Sequence, residues 1–448
     1  MKPRKSKIMK KKSIYFFSVL IMVLVMMTGL CGYGQGKTLE KDFRWSRAVR
    51  SQSQFTFTNY DCNLTIHTWD RQEIEYLMSV TAALKSEEDA EKLKSSIEGM
   101  QFSESMGGVQ FDNRFWNNRK SVGARKTMDL KKEGTIRYSE FRMKGEIWIP
   151  RDCKLALQSK YSEIEAGDLD GPLTLDLYND RFYGGGINNR LDLKAKYCTI
   201  ELKDLMDVHA DLYNTDLEAG NAGDLSILSK YSTVRLNDAG KADIRGYNDK
   251  YSFEKTGDIR LVDKYSDLEA ERTGNLDLDC YSSTLTVQKA GDLSVISKYG
   301  KYRIGTLDGI HVLTGYSDSY EIENLSTLGI DVTKYGEFRI GYLERSLILK
   351  DGYSDKISVS GTGHLEGIRL NGKYIEADIA LDKNLDYRFQ ADVKYAHFDL
   401  PEESLSVSKK IQEGSSLEME AVRGVASEGM PAFFVNGYDL HVTLREKY

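Results

Sequence analysis

Tyrosine supplies most of the side-chain chemistry within reach of this sequence. Fourteen of its 27 tyrosines fall in one register: Tyr161, Tyr178, Tyr197, Tyr213, Tyr231, Tyr247, Tyr265, Tyr281, Tyr299, Tyr316, Tyr335, Tyr353, Tyr374 and Tyr395. A row of exposed phenol rings would stack against sugars. A half-buried row would instead be a ladder that stiffens a repetitive sheet, with neighbouring rings worth about 0.5–1.5 kcal/mol per pair beyond area burial. The strict recurrence favours the ladder, and sugar stacking is the alternative. Lysine precedes the tyrosine at Lys160, Lys196, Lys230, Lys264, Lys298, Lys334 and Lys373; Leu177, Leu212, Gly246, Cys280, Gly315 and Gly352 hold that place in the units between.

The remaining candidates are weaker. Asp168, Asp224, Asp258 and Asp292 stand in Gly-Asp turns. Aligned turn aspartates bind calcium in some solenoids, but those carry a dense Gly-Gly-x-Gly-x-Asp repeat that is missing here, and Asp is in any case a good turn residue. Polysaccharide cleavage calls for paired carboxylates about 5–10 Å apart; Asp318, Glu321 and Glu323 read as ordinary surface acids. No H-E-x-x-H, G-x-S-x-G or phosphate-binding glycine loop sits in a meaningful place, and Gly184-Gly185-Gly186 reads as a bulging loop. His67, His209, His311, His364, His397 and His441 are too scattered to form a metal-ligand doublet. Cys198 and Cys280 are expected to be small buried residues, while Cys62 and Cys153, each following an Asp at a strand start, are the one pair open to bridging. No catalytic residue, metal or cofactor is therefore expected.

The elements that position these residues follow from a repeat. LALQSKYSEIEAGDL, LSILSKYSTVRLNDAG, IRLVDKYSDLEAERTG and LSVISKYGKYRIG are variants of one unit about 18 residues long. Each holds a short alternating strand, a tyrosine corner, a second strand and a turn rich in Gly, Asn and Asp, which leaves no room for helices. Units so small must stack to bury their apolar faces. The expectation is an all-β chain: a β-solenoid of about 14 short coils over residues 151–400, about 65–70 Å long at one rung spacing per coil. A coil of 34–36 residues with two tyrosine corners is the competing arrangement, and would place Tyr231 against Tyr265 rather than Tyr247. In lysine units the next apolar residue comes three after Tyr, as from Tyr231 to Val234; in the others it comes four after, as from Tyr281 to Leu285.

Residues 38–150 read as a β-rich cap, with strands around 55–57, 64–67, 74–80, 108–111 and 146–149. One helix there is capped by Ser86, presents Ala90, Leu93 and Ile97, and runs to about Met100. Residues 113–133 are basic and polar and read as a loop. Residues 401–448 read as a C-terminal cap ending in a hairpin about Asn436-Gly437. At the front, Lys2 to Lys12 form a basic stretch and Ile14 to Met27 an apolar one, a secretory signal over 1–34. Cys31 follows Leu30, where lipid-modifying processing requires a small residue. Removing the signal takes Lys plus Arg from 62 to 55 against 68 acids, a net charge of −13. Nucleic acid and anionic membrane surfaces are poor partners for such a chain. Low proline, 5 residues in all, suits interior rungs whose ladder bonds proline would remove.

The signal, the β-rich opening with its helix, and the repeat L-x-L-x-S-K-Y-S-x-I resemble the adhesin-like β-solenoid families of bacterial envelope proteins of the Bacteroidota type, related to head-domain auto-transporter adhesins. The corner here, Ser229-Lys230-Tyr231-Ser232, departs from the Thr-Ser-Asn-Gly of many relatives. The resemblance implies a fold and a compartment, and brings no catalytic motif. The expected function is an exported, non-enzymatic structural, adhesive or interaction module of the cell envelope, in the periplasm, on the outer-membrane surface or outside the cell. Its partner would be an envelope protein or glycan held on a solenoid face. The alternative is a carbohydrate-active enzyme, a polysaccharide lyase or hydrolase, on a β-helix scaffold.

Overall fold

The computed structural model describes residues 36–105 and 108–447, so the export signal expected over 1–34 lies outside the described residues. Residues 225–241 show how one coil forms. Strand Leu225–Lys230 turns inward Leu225, Ile227 and Ser229, and strand Thr233–Ala239 turns inward Val234 and Leu236; the alternation buries one face and wets the other. A short third side leads through Gly240 to the next rung, Ala242–Tyr247. Rungs pair in parallel and in register, with Leu225 beside Ala242 and Ile227 beside Ile244. Each unit is therefore one coil. Tyr231 meets Tyr247 at 5.6 Å between ring centroids, which rules out the larger coil.

Thirteen such rungs, twelve turns, follow one another from Lys154–Lys160 to Glu376–Asp382. The count falls short of the fourteen expected because Tyr395 does not lie on the next rung. Strand Tyr387–Lys394 pairs instead with Ala432–Tyr438, and that strand also pairs with Gly367–Lys373. The last segment of chain is thus inserted between two rungs that precede it. The other end is built the same way. The rung of Gln54–Tyr60 and Asn63–Trp69 lies between strands that come later, with Lys154–Lys160 and Glu163–Ala166 on one side and Gly108–Asp112 and Gly134–Pro150 on the other. Both ends are locked by a segment out of sequence order.

Two local expectations are corrected. The segment 433–444 is no hairpin about Asn436-Gly437: its two strands are each parallel to neighbouring rungs, and the chain turns a corner at Asp439, φ 54°. The basic stretch 113–133 carries a hairpin of strands Trp116–Val122 and Arg125–Leu130, turned at Gly123 with φ 58°; within the strands only Trp116, Met128 and Leu130 are buried, with Phe115 just before them, so its apolar signal is sparse. The helix forms over Glu87–Glu98, with the Asp89 amide donating to Ser86 Oγ at 3.1 Å and Ala90, Leu93 and Ile97 buried. It packs on the antiparallel strands Lys37–Ala48, Glu73–Leu84 and Gly134–Pro150. At the far end, strands Leu405–Glu413 and Ser416–Arg423 form a second antiparallel hairpin, which pairs along the edge of Tyr387–Lys394 and covers that open edge.

Candidate functional site

The corner exists in two forms, and they alternate. In the lysine units the tyrosine itself adopts the left-handed conformation, at Tyr161, Tyr197, Tyr231, Tyr265, Tyr299, Tyr335, Tyr374 and Tyr395, with φ between 56° and 64°. In the other units the tyrosine ends the strand and the next residue turns the corner, at Asp61, Asn179, Asn214, Asn248, Ser282, Ser317, Ser354 and Asp439. The corner comes one residue later in the second form, so the inward phase also shifts by one. This is why the next apolar residue stands three or four places after Tyr. Asn and Asp tolerate this conformation; a bulky aromatic there costs about 1–3 kcal/mol and persists only where its surroundings fix it.

The surroundings here are other tyrosines. From Tyr60 to Tyr395 each ring meets the next edge to face, with centroids 5.1 to 5.9 Å apart and planes at 61 to 81°. A ring in this ladder has a neighbour on both sides, which offsets the backbone strain. The cross-rung hydrogen bonds continue through the corner, as in Tyr231 N–H to the Tyr247 carbonyl at 3.0 Å. Two tyrosines of the ladder, Tyr60 and Tyr438, are missing from the sequence register because their rungs lie out of order. A signal for Tyr438 was present: Gly437-Tyr438-Asp439 resembles the Gly-Tyr-Ser corners at 315–317 and 352–354, and two lysine units, Lys373 and Lys394, otherwise follow one another unbroken.

Beneath the rings lies a column of buried polar groups. Asp318 is 2% exposed, which corrects its reading as a surface acid. It accepts from the Gly300 amide at 2.7 Å, the Tyr316 amide at 3.0 Å and Ser297 Oγ at 2.9 Å. Asp180 and Asp355 make the same set of bonds on their own rungs, and Asp249 adds the Tyr251 hydroxyl. Burial pushes the carboxyls of Asp180, Asp263, Asp318 and Asp355 up to about 6 and raises that of Asp249. Glycine precedes the tyrosine at 246 because a Cβ there would lie 2.3 Å from the Tyr251 hydroxyl and 2.9 Å from Asp249 Oδ2. These acids face the interior, closed off from solvent. Glu321 and Glu323 are exposed, the former 3.8 Å from Arg303.

Three of the four turn aspartates are spent on the backbone. Asp168, Asp224 and Asp258 each accept an amide of the next rung, from Gly186 at 2.7 Å, Lys241 at 2.8 Å and Asn275 at 2.9 Å, while the Asp292 amide donates to Asn275. Gly185 packs its backbone directly against Asp168. The histidines remain apart except His397 and His441, which meet edge to face on neighbouring rungs. Among the described residues no group of three His, Cys, Asp or Glu is placed to hold a metal ion. All four described cysteines are buried and free. Cys62 and Cys153 sit at opposite ends of the paired strands Gln54–Tyr60 and Lys154–Lys160, so they do not meet.

On the outside, the pairing sets Lys160 beside Tyr178, Tyr178 beside Lys196, and so on along the molecule. The result is a checkerboard: lysine and tyrosine alternate in one column, and tyrosine alternates with Asn or Ser in the next. All eight lysines, Lys394 included, are exposed. Among the described residues none has a carboxylate within 4.0 Å, although lysines elsewhere, such as Lys241, Lys255 and Lys356, do. Lys160 Nζ lies 5.6 Å from the Tyr178 ring centroid. The ladder phenols have no hydrogen-bond partner among the described residues.

Fold and corner together define a β-solenoid whose tyrosine corner runs its full length as one alternating ladder. No family model matches the chain, and no curated protein matches it. A crystal structure from Clostridium sporogenes, provisionally described as a cell adhesion protein, aligns over 91% of this chain and 100% of its own at 8% identity, with a TM-score of 0.16. A likeness at that level carries no argument.

Proposed function

We propose that the chain is an exported, non-enzymatic interaction module of the bacterial cell envelope, adhesive or structural in role, that binds along its length rather than in a pocket. The observation that supports this most is the outer line of the corner. There the hydrogen-bonding capacity of the phenols and ammonium groups is unspent, while the buried acids beneath are fully enclosed. The basic-then-apolar opening of the sequence supports export. The test is retention of purified 35–448 on isolated bacterial envelopes, together with product analysis of polysaccharides incubated with it. Retention without new reducing or unsaturated ends is expected, and steady turnover of any polysaccharide would overturn the reading.

The second reading, a polysaccharide lyase or hydrolase, draws on one open groove lined by Glu218, Arg235, Glu254, Glu269 and Glu271. Its acids follow the rung register, with Glu218, Arg235, Ser252 and Glu269 successive partners. A cleavage site would be expected to break that register. Turnover lost in Glu269→Gln would favour the enzyme.

A further inference from the structure

We infer that the crest of the tyrosine corner is a binding line for an extended acidic polysaccharide, a two-fold polyuronate ribbon lying parallel to the solenoid axis. This names the ligand class for the interaction module proposed above and rests on that reading. Charge points to an anion. The chain as a whole is acidic, yet eight ammonium groups stand in file on this crest, from Lys160 to Lys394, with no carboxylate among the described residues within 4.0 Å. In the absence of a partner such a file repels itself, and a linear polyanion relieves it.

Spacing points to the kind of polyanion. Lysines recur on every second rung, about 9.6 Å apart at one rung spacing of about 4.8 Å. A β-1,4-linked polyuronate with a two-fold screw turns a carboxylate to the same side at every second sugar, a step close to that two-rung period. The crest is also narrow. Asp176, Asp211, Asp279 and Asp351 occupy outward positions beside it on four of the tyrosine-ended rungs, with Arg245 in that place on a fifth, so acids narrow the basic line over much of its length and favour a thin chain over a broad anionic surface.

The rings decide between sugar and nucleobase. Successive rings already meet edge to face at 5.6 to 5.7 Å between centroids, which leaves no gap for a base to insert between them. What remains outward is the phenol hydroxyls, which suit a polyhydroxylated chain. Exposed Leu228 and Ile296 flank the line, and a shallow groove of Tyr247, Val262, Lys264, Tyr281, Ile296 and Lys298 gives the C–H face of a sugar an apolar seat.

The test uses the full 35–448 chain with polymannuronate as probe, and neutral mannan and oligothymidylate as comparisons. Polymannuronate should bind, weaken as salt rises and outcompete both comparisons. Lys230→Gln, Lys264→Gln and Lys298→Gln combined should weaken it about tenfold or more, since close charge pairs govern such contacts, while the melting temperature holds. Tyr231→Phe, Tyr265→Phe and Tyr299→Phe combined keep the ring contacts and should also weaken it. The same number of substitutions at Lys250, Lys255 and Lys289 should leave it unchanged. Equal binding of mannan, tighter binding of oligothymidylate, or full binding by the triple lysine variant would overturn the inference. Envelope retention that survives in the triple lysine variant would sink the crest and spare the interaction module; loss of retention in the unsubstituted chain would sink both.

Discussion

Removing one coil should damage this protein more than removing two. The coils at 225–241, 242–258, 259–275 and 276–292 begin at Leu225, Ala242, Ile259 and Leu276, each paired with the next, so either deletion rejoins the strands in register. Deleting 242–258 sets Lys230 against Lys264 and Tyr231 against Tyr265, two corners of the same form. Two edge-to-face contacts, Tyr231 with Tyr247 and Tyr247 with Tyr265, are lost and no proper one replaces them. One of the two would go with any coil removed, so the contact missing at the junction itself costs about 0.5–1.5 kcal/mol. Two ammonium groups one rung apart, about 4.8 Å, add about 1 kcal/mol in water-like surroundings. The junction penalty is roughly 1.5–2.5 kcal/mol, or about 3–5 °C at about 2 °C per kcal/mol. Deleting 242–275 instead brings Tyr231 onto Tyr281 and Lys230 beside that tyrosine, and the alternation survives. Urea and thermal unfolding of the two deletions measure the difference. The reasoning fails if stability simply falls with the number of coils removed, so that the two-coil deletion is the weaker protein.

Other consequences follow from the column under the rings. The carboxyls of Asp180, Asp263, Asp318 and Asp355 are raised to about 6, above the unfolded value, so the folded state favours their protonated forms. Their contribution is therefore fully present below about pH 4 and is lost as pH rises through 6. Asp318→Asn should flatten that dependence in urea midpoints taken from pH 4 to 7; an unchanged slope would show that Asp318 is ionised throughout. Gly246→Ala should destabilise by about 1–3 kcal/mol, the usual cost of overpacking, because its Cβ meets the Tyr251 hydroxyl; an unchanged urea midpoint would show that the column can yield. Burial pushes the Cys62 and Cys153 thiols up to about 12, so neither should react with iodoacetamide until the chain is unfolded. A native mass lower by two hydrogens, restored on reduction, would mean they are bridged after all.

Much of this fold was legible because each coil repeats the same physical solution. Period-two alternation marked the strands, Ser86 with Asp89 marked the helix start, and the shift between three and four residues after Tyr recorded the two corner forms before their geometry was known. What escaped was order in space. Nothing local in 432–447 says that its strands lie between 367–382 and 387–399, since parallel pairing depends on partners far along the chain. Asp318 escaped for a related reason. Its inward position follows from the left-handed Ser317 before it, and a simple alternation carried past the corner places it outside. The unpaired lysines could not be read at all, because pairing depends on which acids neighbouring rungs bring close.

An unbroken ladder from Tyr60 to Tyr395 requires the last rung to be inserted out of order, and pairs of cysteines test this directly. Asn436 is the register partner of both Asn371 and Asp392. Adjacent rungs bring Cα atoms to about 4.8 Å, inside the bridging range, whereas two rungs separate them by about 9.6 Å, beyond it. Asn371→Cys with Asn436→Cys, and Asp392→Cys with Asn436→Cys, should each oxidise to a disulfide in the native protein, while Asn371→Cys with Asp392→Cys should not. A ready bridge between positions 371 and 392, with none to 436, would mean that the rungs stack in sequence order and that the alternation breaks at Tyr374.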